Sequence, residues 1–155
     1  MYLWAVQELN LPTYPFKLKR VDEHTQIYDD IRQKWLVCTP EEWVRQHVVK
    51  WLESQGYPKV LTAVERAVKL NGMTKRADVV VFDRQGKPFL LVECKAPEVA
   101  VNQQVLDQAV RYNMTLEVPY LLLTNGLQHY CVAVPKGGTP KMVKELPAFP
   151  VKSED

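Results

Sequence analysis

The chain has 155 residues, 46% apolar and 25% charged, with a formal net charge of +2; this is globular composition, and length enough for one domain with a substantial core. So mild a positive excess excludes nucleic-acid binding by bulk electrostatics alone, and leaves that task to local clusters. Three widely spaced cysteines, Cys38, Cys94 and Cys131, exclude a disulfide framework and a cysteine-based zinc site; with no basic leader and no apolar run of membrane-crossing length, a soluble cytoplasmic protein with no membrane partner is expected.

Residues 1–24 read as an N-terminal arm, laid over the domain or without fixed structure, residues 25–135 as the domain, and residues 136–155 as a turn-rich, loosely ordered tail. From Phe16 to Cys38 short β-like runs alternate with charges, as in a hairpin. The basic trio Lys17, Lys19 and Arg20 reads as a solvated strand edge, with phosphate contact as the other reading. At TPEEWVRQHVVKWLESQGYP the spacing predicts a helix over 40–54: Thr39 is its N-cap, Pro40 its first residue, Glu42 closes a capping box, and Gly56 and Pro58 stop it. Trp43, Val44, His47, Val48, Trp51 and Leu52 form its buried face. His47 therefore reads as a core residue, and Glu42 falls away from that face.

VLTAVERAVKL reads as a strand and NGMTK as a turn. DVVVFD and PFLLVECK are two strands joined by RQGK. A helix follows Pro97, with Val101, Val105, Leu106, Ala109 and Val110 inward. PYLLLT, closed by the turn pair Asn125-Gly126, and HYCVAV are further strands. This order predicts an α/β sandwich, a mixed central sheet flanked by helices.

Within DVVVFDRQGKPFLLVECK the two strand ends carry unusual charges. If RQGK is a four-residue connection, Asp83 faces Pro88 and facing residue numbers sum to 171, which sets Asp78 opposite Glu93. Opposed Cβ atoms lie about 4.5–5.5 Å apart, and Lys95 stands diagonally at roughly 7–8 Å on the same face. Cys94 points the other way. One bulge in the connection would slip this register and part the acids. Opposed carboxylates destabilise a sheet unless something compensates, and a divalent cation does so: Mg²⁺ takes one or two carboxylates and keeps waters for chemistry. A lysine beside them can serve such a water or neutralise charge developing on phosphorus. The plainer reading is an edge ion pair between Glu93 and Lys95, with Asp78 capping its strand and Arg76 neutralising it.

Asp78, the run Glu93-Cys94-Lys95 and a helix carrying Gln108 and Tyr112 resemble the PD-(D/E)XK nuclease superfamily, in its branch marked by a Q-x-x-x-Y helix. EEWVRQ at 41–46, GYP at 56–58, RADVVV at 76–81, VECKAP at 92–97, QAVRYN at 108–113 and LLTNG at 122–126 are similar, in order, to the N-terminal nuclease domain of type I restriction enzyme R subunits. The resemblance implies a restriction-endonuclease-like sandwich and a metal-dependent endodeoxyribonuclease. It implies Mg²⁺, for which Mn²⁺ can substitute, held by Asp78, Glu93 and the carbonyl of Cys94, with Lys95 serving the attacking water. Gln108 and Tyr112 would support DNA and the lysine. Without the resemblance, Tyr112 reads equally well as a core or boundary residue.

Glu42 matches the family's first-helix acid, with Glu41 a competing choice. Arg45 and Gln46 are candidate phosphate contacts, or simply exposed helix charge, and Arg76 is a candidate support. The partners implied are DNA and other restriction–modification subunits. The 155 residues hold no P-loop, so no ATP-driven motor is expected of them. The other reading is a non-catalytic domain that keeps this fold to bind nucleic acid or dock on a subunit.

Overall fold

A computed structural model of the chain describes residues 7–151; expectations for residues 1–6 and 152–155 lie outside the described residues. Where a hairpin was expected before the first helix there are three strands, β1 (Leu18–Val21), β2 (His24–Asp29) and β3 (Lys34–Val37), in an antiparallel sheet of their own. β1 falls inside the stretch read as an arm. Helix α1 (Pro40–Ser54) follows with the expected bounds. The Thr39 hydroxyl oxygen accepts the Glu42 amide at 3.0 Å. The reciprocal half of the capping box is not made, because the Thr39 amide donates to the Val37 carbonyl at 3.1 Å.

A 3₁₀ turn (Lys59–Leu61) leads into β4 (Thr62–Leu70), β5 (Met73–Phe82), β6 (Pro88–Cys94), α2 (Gln103–Leu116), β7 (Tyr120–Thr124), β8 (His129–Ala133) and β9 (Lys141–Val143). The six strands lie in sequence order in one sheet, antiparallel throughout except for the parallel pair β6–β7. A parallel pair needs a crossover, and α2 supplies it. The class is the expected one: a mixed sheet between helices.

Apolar runs such as VVVF and FLLV make sense because both faces of the sheet are covered. On one face Val79, Val81, Leu90 and Val92 join a core with Val44, Val48 and Leu52 of α1. On the other Val80, Leu91, Leu121 and Leu123 join Leu106, Ala109 and Leu116 of α2. His47 is buried as expected, with Nδ1 2.8 Å from the Trp43 carbonyl, and burial lowers its pKa.

Two expectations are corrected. Phe82, not Asp83, pairs with Pro88, and a bulge follows Val81. Asp83 leaves the ladder because its side chain accepts the amides of Gln85 and Lys87, both at 2.9 Å, in a turn. Past the bulge the pairs Val81↔Leu90, Val80↔Leu91 and Val79↔Val92 follow the expected register. Nor is the tail loose through residue 151. β9 pairs with β8, the Tyr57 hydroxyl donates to the Pro147 carbonyl, and Val143, Leu146 and Phe149 pack against the core on the α1 side. Apolar residues spaced between the prolines give this segment something to bury.

Candidate active site

The site begins with a break in β4 and β5. Val64↔Val79 and Arg66↔Ala77 pair in one register, but the pair between them, Glu65 and Asp78, drops out of the ladder. Glu65 has φ +50°, a left-handed conformation that a side chain with a Cβ rarely adopts inside a strand. Beyond the break the faces switch. Ala77, which strict alternation from Val79 sends toward α1, belongs instead to the core on the α2 side with Val68 and Leu70. The hairpin end lies by α2, where Asn71 Nδ2 donates to the Thr115 carbonyl at 2.9 Å.

The cost of a left-handed residue is about 1–2 kcal/mol unless it is glycine. At position 65 the order usual in strands should therefore invert: Glu65→Gly is expected to melt above Glu65→Ala, by a margin of about 1 kcal/mol in chemical denaturation. Equal stabilities would mean that the backbone is relaxed there.

At this break Asp78 reaches two ways. Its Oδ2 accepts the Cys94 amide at 2.9 Å, and Oδ1 accepts from Arg45 Nη2 at 3.3 Å. The first bond ties Asp78 to the Glu93-Cys94-Lys95 strand end. The second belongs to a network around Arg45, which is 3% exposed. Its Nη1 donates to Glu42 Oε1 at 2.6 Å, and Nη2 also meets Glu41 at 2.8 Å and Glu65 at 2.9 Å. Burial works against the guanidinium charge, but Glu42, Asp78 and Glu65 overcome it and hold the Arg45 pKa above its usual value.

Glu42, expected to point away from the buried face, is 6% exposed. Its second oxygen accepts from Arg32 Nη2 at 2.7 Å and Gln46 Nε2 at 2.9 Å. Arg45 and Gln46 are likewise buried rather than exposed helix charge, because Glu41 and Glu42 of α1 and Asp29, Glu65 and Asp78 from other elements accept from the Arg45 Nη atoms and from Gln46 Nε2, leaving Arg45 Nε without a partner among the described residues. Both oxygens of Glu42 are thus engaged. Of the two first-helix acids it is Glu41 that converges with Glu65 and Asp78, their oxygens lying within 4.8 Å of one another.

Asp29, at the end of β2, completes the network. Its carboxylate accepts the Ile31 and Arg32 amides at 2.8 Å, Arg32 Nε at 2.6 Å and Gln46 Nε2 at 3.0 Å. Burial raises its pKa, but the bonds from Arg32 and Gln46 outweigh that and hold it below the ordinary 3.8. A carboxyl depressed in the fold adds stability above its unfolded pKa and loses it as pH falls through the folded one. Melting temperature should accordingly drop on acidification below about pH 4, and Asp29→Asn should flatten that limb while lowering stability at neutral pH. An unchanged acid limb in the variant would remove Asp29 from this role.

Glu93 pairs with Leu123, which belongs to the α2-side core like Leu91, whereas Val92 and Cys94 belong to the α1 side. Alternation therefore puts Glu93 and Lys95 on the α2 side of β6 and Cys94 on the other. Both are half-buried, and among the described residues neither side chain makes a hydrogen bond or ion pair. The edge ion pair between them is not formed. Glu93 is not one of the close trio around Asp78. The Cys94 thiol is fully buried, which pushes its pKa well above the usual range.

Gln108 and Tyr112 are exposed on α2, with Lys75 Nζ 4.6 Å from the centre of the Tyr112 ring. The core or boundary reading of Tyr112 is corrected; Leu106 and Ala109 take the inward positions. Arg76 pairs with Glu65 Oε2 at 3.0 Å rather than with Asp78. Asn125 forms the expected turn, its Oδ1 accepting the amides of Leu127 and Gln128. Sequence reasoning passed over Asp29, Arg32 and Glu65. For Glu65 the signal is the Asn71-Gly72 turn: counting back from it sets Glu65 opposite Asp78.

Residues 40–150 match the family described as type I restriction enzyme R protein N terminus. No curated protein matches the chain. Among solved structures it is similar to one described as a "putative nuclease belonging to DUF820 from Anabaena variabilis ATCC 29413". That similarity is 12% in sequence identity over 84% of this chain and 86% of that one, with a TM-score of 0.48.

Proposed function

The chain belongs to the family of type I restriction enzyme R protein N termini, and from that premise we propose that it is a Mg²⁺-dependent endonuclease hydrolysing DNA phosphodiester bonds. One observation carries the reading: the Cys94 amide donates to Asp78 Oδ2 at 2.9 Å, which joins Asp78 to the strand end bearing Glu93 and Lys95. The donor set suits the ion. Asp78, Glu93 and the Cys94 carbonyl offer hard oxygens; the Glu93 carboxylate has no competing partner among the described residues, and Asp78 Oδ1 would exchange its 3.3 Å contact with Arg45 for the ion. When bound, Mg²⁺ or Mn²⁺ supplies Lewis-acid stabilisation of a phosphoryl oxygen and lowers the pKa of water.

Other roles fall to side chains. Lys95, with no carboxylate on its ammonium, is free to hold the attacking water or offset charge on the phosphate. Arg45 fixes the Asp78 carboxylate. Gln108 and Tyr112, exposed on α2, and Arg76 would meet the DNA backbone, while the buried Arg45 and Gln46 would act as supports. Contacts to phosphate position without specifying, so binding should be salt-sensitive and weakly selective for sequence. Restriction–modification subunits are the proposed protein partners, and the cytoplasm the proposed setting; no helix among the described residues is long and apolar enough to cross a membrane.

The test is to incubate the protein with supercoiled and linear DNA in Mg²⁺, Mn²⁺ or EDTA. Metal-dependent nicking supports the proposal. A second reading, a non-catalytic binding or docking domain, draws on the Arg45 guanidinium already lying against Asp78; DNA binding without cleavage in every metal would favour it.

A further inference from the structure

Lys17 and Lys19, two of the basic trio around β1, make no hydrogen bond or ion pair with the site among the described residues, and their surroundings are not those of an ordinary solvated edge. Lys19 pairs with Gln26 and Gln26 with Val37; Tyr28 pairs with Trp35, and the Tyr28 amide donates to the Lys17 carbonyl. Alternation therefore gathers Lys17, Lys19, His24, Tyr28, Trp35 and Val37 on one face of the three-stranded sheet. The opposite face carries Ile27, wholly buried, and Asp29 of the α1 network.

Among the described residues the carboxylate beside this face is Asp30, close enough to Lys17 to feel its charge. The nearest acids by chain position are Asp22 and Glu23 in the turn after β1, and Asp30, which pairs with Lys50. Two aromatic rings meet edge to face on it, 5.5 Å between centroids and 69° between planes, with Lys19 Nζ over the Trp35 ring at 4.1 Å from its centre and Lys17 Nζ over Tyr28 at 5.7 Å, flexible side chains that a stacking base would displace toward its phosphates. Beside Tyr28 is a cavity of about 150 Å³ lined by Tyr14, Phe16, Lys17, Tyr28, Asp30 and Lys50. The Tyr14 hydroxyl is buried there without a hydrogen-bond partner among the described residues.

We propose that this face binds a single-stranded nucleic acid, with bases stacked on Trp35 and Tyr28 and phosphates met by Lys17 and Lys19. Every base has a π-face and every linkage a negative charge, so half-buried rings flanked by ammonium groups match a single strand. A duplex hides its base faces, leaving only its phosphates to the lysines. The proposal goes beyond the cleavage site and does not require it to be active.

Its test is anisotropy with labelled oligothymidine and a duplex of the same length, in EDTA so that cleavage does not interfere. Trp35→Ala should weaken single-strand binding about tenfold, the size of one lost base stack, and Trp35→Phe should retain most of it. Lys17→Glu with Lys19→Glu, both on exposed positions, should weaken it further and lower its salt dependence. Wild-type affinity in both Trp35→Ala and the lysine pair overturns the proposal, as does duplex binding that is equally tight and equally sensitive to Trp35→Ala.

Discussion

Lys95→Ala is expected to lower metal-dependent cleavage of plasmid DNA by about 10²–10⁴-fold, the range associated with a positioned proton-transfer group, with little change in melting temperature. The second half follows from the environment. The Lys95 ammonium makes no ion pair or hydrogen bond among the described residues, so truncation leaves nothing buried and unsatisfied, and substitutions of that kind usually stay within about 0.5 kcal/mol. Glu93→Ala should be as inactive and should also lose the Mg²⁺-induced rise in melting temperature that a ligand of the native state produces by mass action. Lys95→Arg should not restore activity, since a guanidinium does not deprotonate in this range and does not replace a compact ammonium. Cleavage at wild-type rates by Lys95→Ala and Glu93→Ala would end the nuclease proposal for this site.

Arg45→Met should cost about 3–5 kcal/mol, the penalty for removing one partner of a buried ion pair. Its strongest contact, with Glu42 at 2.6 Å, joins two side chains that are 4% and 8% exposed. Without the guanidinium, Glu42 keeps Arg32 and Gln46, but Glu65 and Asp78 face each other across the break with only Arg76 on the outer side. A loss of that size in a chain of this length lowers the melting temperature by roughly 10 °C. Adding Glu42→Gln should return part of it, because the two positions share one interaction and their effects do not add. Glu41→Gln should cost far less: its side chain is 46% exposed, and exposed pairs contribute about 0–1 kcal/mol. A melting temperature unmoved by Arg45→Met would show that the network adds no stability.

The two outcomes draw on different parts of one site. Glu93 and Lys95 are uncommitted and available for chemistry, whereas Arg45, Glu42 and Asp29 are committed to one another and hold the frame. The two acids that open α1 divide along the same line, with Glu42 inside the frame and Glu41 beside Asp78 and Glu65.

Local pattern was enough for the elements themselves. Thr39, Pro40 and Gly56 bound α1 because capping and left-handed closure act within a few residues; unbroken apolar runs announced strands covered on both faces, and the bulge at Phe82 left the centre of the hairpin in the counted register. Counting from one short turn sets Asp78 opposite Glu93, whereas the ladder ends at Val79↔Val92 and Asp78 reaches that strand end through the Cys94 amide. What the tertiary structure alone decided was where the charges go. Glu42 and Arg45 read as surface residues on a helical wheel, and are buried because Arg32, Glu65 and Asp78 arrive from other elements to neutralise them. A wheel records only the helix's own spacing, whereas the burial of a charge depends on whether an opposite one meets it across the fold. The left-handed turn at Glu65 is of the same kind: nothing in VERAV announces it, since a strained backbone persists only where the surrounding structure holds it.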